Sequence, residues 1–131
     1  MKLKNIIIFI ISIIFLFFYT TSIIIPAVNS YNYVCEPQKL KGKNYTVLGT
    51  TSYTENQTTK KAENITIKIN PQIQINSDLY NQVFKHEYCH KIQSERGYPS
   101  QSCEDKIQKI LTEMECYTAE KYPNWLYEVF Y

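Results

Sequence analysis

Histidine is almost missing from this chain. There are two in 131 residues. Glycine is scarce too, at three residues, and no internal repeat or low-complexity stretch appears. A charge excess is also missing. Once Lys2 and Lys4 are set aside, Tyr31–Tyr131 carries 12 basic and 12 acidic residues. That balance leaves no basic face for nucleic acid and no acidic tail. No C-x-x-C pair occurs among Cys35, Cys89, Cys103 and Cys116, which disfavours a four-cysteine zinc site. Between Ser77 and Arg96 there is neither glycine nor proline, so nothing there breaks a helix.

The two histidines that do occur are His86 and His90, within His86-Glu87-Tyr88-Cys89-His90, or H-E-x-x-H. On a helix, four residues are a little over one turn, so both imidazoles leave one face about a turn apart. Two nitrogens so placed can hold one zinc ion, and Glu87 can take a proton from a water polarised there. The flanks predict such a helix. Asn76 or Ser77 can cap it, Asp78 suits its first turn, and Gly97 and Pro99 end it. At 100° per residue Leu79, Val83, His86, His90 and Gln93 share a stripe, so the histidines point inward. Phe84 and Tyr88 lie on the far side, which predicts a helix covered on two faces.

Lys2 and Lys4 precede an apolar run whose full extent, Ile6 to Ile25, is enough to span a bilayer. Its first half also has the size of a signal-peptide core, with Val28-Asn29-Ser30 offering cleavage after Ser30. Residues 1–30 are therefore a signal anchor or a signal peptide. Residues 31–131 form one extracytoplasmic or secreted domain with a small core. An even cysteine count outside the cytosol implies two disulfides, with three possible pairings. Asn44, Asn56 and Asn64 open N-x-T glycosylation sequons in the same part.

Tyr31 to Asn44 reads as irregular, tied down through Cys35. Tyr45 to Tyr53 is β-rich, with Gly49 marking a bulge or bend. Ile65, Ile67 and Ile69 alternate with polar residues as a half-buried strand, and Ile73 and Ile75 resume the alternation after Pro71. Ser102 and Asp105 resemble a capping box opening a second helix that Pro123 stops. Its apolar face is Cys103, Ile107, Ile110, Leu111, Met114 and Thr118. The aromatic tail from Asn124 to Tyr131 is expected to pack over the core or cover the site.

Two imidazoles leave zinc one protein ligand short of a catalytic set. The chain here resembles small zincin-type metallopeptidases whose third ligand is a glutamate on a following helix. Glu113-Met114-Glu115-Cys116-Tyr117, beginning 23 residues after His90, is similar to the E-x-x-A and E-x-E-A patterns of that group. The alternative H-x-x-G-x-x-H continuation is excluded by Gln93 and Arg96. Amphipathicity does not choose between Glu113 and Glu115, which flank the apolar face on opposite sides. The resemblance points to Glu113 as ligand, with Glu115 supporting a histidine. Cys89 and Cys116 each sit about 60° from a ligand on their helices. A Cys89–Cys116 bridge would thus bring Glu113 toward the imidazoles, leaving Cys35 to pair with Cys103.

The reading is an α+β zincin-like domain: a short sheet, the H-E-x-x-H helix and a glutamate-bearing helix, disulfide-stapled, after an N-terminal hydrophobic helix. It implies hydrolysis of peptide or protein substrates, Zn²⁺ on His86, His90 and Glu113, and Glu87 as proton acceptor. Tyr117, Tyr98 or Tyr122 would be the transition-state donor. The alternative is a non-catalytic disulfide-bonded surface or envelope protein whose metal site is structural or vestigial.

Overall fold

The computed structural model describes residues 2–59, 61–97 and 103–131. Helix α1 (Leu3–Tyr19), a π-helical turn (Thr20–Ile24) and α2 (Ile25–Cys35) follow without a break. Together they make one helix of 33 residues, long and apolar enough to cross a membrane. The π turn answers Pro26, which has no N–H and whose ring collides with a carbonyl one α-turn back. Widening the turn lets the Ile25 N–H bond Thr20 O, five residues back. The helix thus runs past the proline and through Tyr31–Cys35, which the composition had marked as irregular. No α1 side chain is buried. Burial begins with Ile23, Ala27 and Tyr31, a stripe at four-residue spacing. The boundary expected at Ser30 therefore falls inside an element that already contributes to the core.

A 3₁₀ turn (Pro37–Leu40) leads to β1 (Gly49–Glu55), which pairs antiparallel with β2 (Ala62–Ile69). The sheet is two-stranded, with a register irregularity between Ser52 and Thr54. Ile73 and Ile75 do not resume a strand. Asn70 accepts the Gln72 N–H on Oδ1 and the Ile73 N–H on its carbonyl, folding the chain into turns.

Helix α3 (Asp78–Glu95) has the expected ends. The Ser77 hydroxyl accepts the Tyr80 N–H at 3.1 Å, and Gly97 sits at φ +80° beyond the last turn. Helix α4 (Lys106–Ala119) starts later than the Ser102 cap implied. Ser102 lies outside the described residues, and Asp105 is the cap, its Oδ1 accepting the Gln108 N–H. Cys103 consequently precedes the helix. The buried face of α4 is Lys109, Thr112, Glu113, Cys116 and Ala119, whereas Ile107 and Leu111 are 73% and 50% exposed. This face meets α3 through polar partners and the disulfide, and α2 on its other flank. On α3, Leu79 and Phe84 are likewise exposed.

Helix α5 (Asn124–Phe130) packs on the core. Tyr127 is buried there with Cys89, Cys116 and Ala119, and Tyr88, Tyr122 and Tyr131 close around them. The architecture is α+β, stapled by Cys35–Cys103 and Cys89–Cys116 with Cα separations of 5.6 and 5.4 Å. The second bridge joins α3 to α4 at the centre of this small cluster.

A bridge closing a loop of 27 residues stabilises by about 3–4 kcal/mol in the chain-entropy model. Cys89→Ser/Cys116→Ser should lose about that much in urea unfolding. A loss under 1 kcal/mol would mean that helix contacts alone hold α3 to α4.

Candidate metal centre

Successive turns of α3 place the His86 and His90 rings 4.9 Å apart between centroids, with their Nε2 atoms 3.2 Å apart. Helix α4 brings Glu113 Oε2 to 3.5 Å from His86 Nε2 and 3.3 Å from His90 Nε2. These residues form a buried or half-buried three-donor group that could hold a metal ion. Two ligands each about 2.0–2.1 Å from a tetrahedral ion lie about 3.3–3.4 Å apart. All three separations fall close to that value. The triangle has the dimensions of one face of such a tetrahedron.

The neighbours decide which way each imidazole presents its lone pair. Gln93, fully buried, donates through Nε2 to Thr112 O at 3.0 Å and to Glu115 Oε2 at 2.8 Å. Its Oε1 therefore faces His90 Nδ1, at 3.0 Å, and can only accept. The proton sits on His90 Nδ1 and the lone pair on Nε2, toward the site. On the other ring, Glu120 Oε2 lies 3.2 Å from His86 Nδ1, near but off the line of a good hydrogen bond. A carboxylate there also keeps the proton on Nδ1. Gln82 Nε2 and Lys121 Nζ hold Glu120 Oε1 at 2.7 and 2.8 Å. With both protons on Nδ1, two imidazole lone pairs and a carboxylate oxygen converge on one point, an arrangement that could hold a cation. Such support from behind a ligand is what orients metal-binding histidines.

Without a metal, a proton takes that place. Burial opposes charge on His86, but Glu113 and Glu120 outweigh it and push its pKa up to about 9. For Glu113, burial works toward protonation, and His90 and His86 overcome it, holding the carboxyl well below the usual range. Burial lowers Lys109, whose Nζ lies 3.7 Å from Glu113 Oε1. In the metal-free domain a raised His86 stabilises fully below about pH 6.5, and the gain is lost as pH rises through about 9. Metal binding runs the other way, because it must displace that proton.

Glu87 and Tyr117 line the same cleft as the ligand triangle. Thr51 Oγ1 donates to Glu87 Oε2 at 2.7 Å and lies 2.8 Å from the Glu87 carbonyl oxygen. Gly49 lets β1 come this close. A Cβ there would stand 2.7 Å from Val83 Cγ1 and 2.8 Å from Glu87 Cγ. The Tyr117 hydroxyl is 2.8 Å from Ser30 Oγ, and its ring lies 4.3 Å from that of His86. Burial pushes this phenol up to about 12 despite the Ser30 hydrogen bond, so it keeps its proton. The cleft measures about 660 Å³ and runs between α2, the segment from Tyr45 to Ser52, and α3 with α4.

Glu115 does not join the triangle. It accepts from Gln93 and, on Oε1, from the Tyr131 hydroxyl at 2.9 Å, so it supports His90 at one remove. Tyr122 packs in the core beside Phe130, and Tyr98 lies outside the described residues. The tail packs on the core and does not line the cleft. Asn44 and Asn64 are exposed, while Asn56 is tied into its own turn, donating to Glu63 and accepting from Thr58 N–H. Glu120, Lys109, Thr51 and Ser30 were not foreseen. Only Glu120 had a visible signal, seven residues after Glu113 and hence on its face.

No protein-family model, curated protein or solved structure matches the chain.

Metal affinity should rise about tenfold per pH unit up to about pH 9 from His86 alone. Isothermal titration in buffers of different ionisation enthalpy should record proton release on binding at pH 7. Glu113→Ala should cost more than 100-fold in affinity and Glu120→Gln about 10–100-fold, in the range for lost ligand support. Glu115→Ala should cost less than Glu113→Ala, and the reverse order would move the ligand to Glu115.

Proposed function

We propose that the protein is a zinc-dependent hydrolase of peptide bonds, exported and held at the membrane by its N-terminal helix. On this reading it resembles the zincins with a glutamate third ligand in its His86, Glu87, His90 and Glu113 pattern. The observation that carries it is the convergence of His86 Nε2, His90 Nε2 and Glu113 Oε2 beside Glu87 in one cleft. Two imidazoles and one carboxylate are the protein ligands of catalytic zinc sites, which keep a further position open. A structural site favours four protein ligands and has no use for a carboxylate beside them.

When bound, zinc would supply Lewis-acid polarisation of the scissile carbonyl and of water. The remaining work belongs to the chain's own side chains. Glu87, steadied by Thr51, accepts the proton of the attacking water and passes it to the departing amine. The Tyr117 hydroxyl, protonated throughout the physiological range, donates to the oxygen on which negative charge develops. Consecutive residues from Tyr45 to Ser52 line the cleft, offering strand-like backbone to an extended peptide. Gln93 and Glu120 hold the imidazole orientation through the cycle.

The purified full chain should carry one zinc. Glu87→Gln should keep it and lose hydrolysis by about 10²–10⁴-fold. Unchanged turnover in that variant, or a chain that takes up no zinc at neutral pH, would end this reading. Gly49→Ala should separate position from chemistry. Its methyl pushes on Val83 and Glu87, so turnover falls at least about tenfold while zinc content holds.

A further inference from the structure

One wall of the cleft comes from the N-terminal helix. Pro26, Asn29, Ser30, Tyr33 and Val34 of α2 line it together with His86 and Glu87. Ser30 reaches the Tyr117 hydroxyl at 2.8 Å. On another side of the same helix, Ile23 and Ala27 are 4% and 0% exposed, where the π turn and α2 pack on α4. Removal of residues 1–30 would strip these side chains from the core and open the cleft.

The same helix continues back to Leu3, and every side chain from Leu3 to Phe18 is exposed. Most are isoleucine and phenylalanine. Ser12, Thr21 and Ser22 satisfy their hydroxyls on carbonyls of the same helix. Ser12 Oγ donates to Ile8 O at 2.9 Å and Thr21 Oγ1 to Phe17 O at 3.0 Å. An apolar surface with its polar groups satisfied internally is what lipid hydrocarbon requires. A hydrocarbon core of about 30 Å takes about 20 residues at 1.5 Å each. Counted from Lys4, it ends near Ile24, so the π turn and the part of α4 packed on it lie at its boundary. Pro26 to Ser30 then stand roughly 3–9 Å beyond it, within or just above a headgroup layer about 5–8 Å deep. Tilt would bring them closer.

We propose that α2 is a permanent wall of the cleft and that it holds the metal centre at the headgroup layer. On the peptide-hydrolase reading above, its substrates are extended segments of membrane-anchored proteins, cut within a few residues of the bilayer surface. Two physical effects select them. Tethering in the same bilayer raises the local concentration of such segments. A folded soluble domain cannot bring a strand to a cleft mouth lying against the headgroups.

The test uses the full chain, zinc-loaded, in phosphatidylcholine vesicles. One substrate is a long mixed-sequence peptide library anchored by a transmembrane helix, and the other is the same library untethered. Cuts mapped by mass spectrometry should cluster within about five extended residues of the anchor, and the untethered library should be cut at least tenfold more slowly. Cuts spread evenly along the tether, or equal rates for the two libraries, would overturn the substrate class. Two readouts do not depend on activity. Chain recovered from cell membranes should retain residues 1–30 by intact mass, and a fluorescent residue at Asn29 should be quenched by lipids labelled at the headgroup. A mature chain starting at Tyr31, or a label that no headgroup quencher reaches, would overturn the permanent wall. If neither library is cut, the hydrolase reading and the substrate class fall together, while mass and quenching still decide the wall.

Discussion

Two imidazole nitrogens stand 3.2 Å apart, each within 3.5 Å of the same Glu113 oxygen, and the rest of the structure depends on keeping them there. Left alone, either ring would turn over or take a proton. Gln93, bonded to His90 Nδ1, and the Glu120 carboxylate, 3.2 Å from His86 Nδ1, oppose the first. Glu113 supplies the negative charge that makes a cation welcome. Each partner is itself held, Gln93 by Thr112 and Glu115, Glu115 by Tyr131, and Glu120 by Gln82 and Lys121. The polar network therefore reaches from the ligands to the last residue of the chain.

Such a network is costly in a small domain, because every buried polar group must find its partner. The stabilising apolar cluster is modest, a disulfide with Ala119 and Tyr127 inside a ring of tyrosines. Helix α4 shows which demand wins. It turns Lys109, Thr112 and Glu113 inward and leaves Ile107 and Leu111 in the open. The Cys89–Cys116 bridge then does more than constrain the unfolded chain. It sits one residue before His90 and three after Glu113, so it sets the spacing of the helices that carry the ligands. Its Cys116 sulfur also rests 3.5 Å from His90 Nδ1.

The N-terminal helix supplies what a domain of 101 residues lacks. Ile23, Ala27 and Tyr31 extend the core, and Ser30 steadies the Tyr117 hydroxyl in the cleft. The apolar N-terminal helix and the cleft wall are one continuous rod, so whatever fixes the one positions the other.

Much of the centre was legible before any fold. Intrahelical geometry follows from the 3.6-residue period, so His86, Glu87 and His90 could be placed on one helix, with Ser77 and Gly97 as its ends. The same angular reasoning paired Cys89 with Cys116 and favoured Glu113 once the resemblance had named two candidates. What no local period can supply is the rotation of one helix against another, or the fate of a proline within an otherwise helical run. Those follow from partners distant in sequence. They set the buried polar face of α4, Glu120 behind His86, Thr51 on Glu87 through the space Gly49 leaves, and Ser30 on Tyr117. They also carry α2 through Pro26, and they fold Ile73 and Ile75 into turns where alternation alone read a strand. Sequence placed the two histidines on one face because their geometry is local, and tertiary structure decided what stands around them because hydrogen-bond partners are chosen by space.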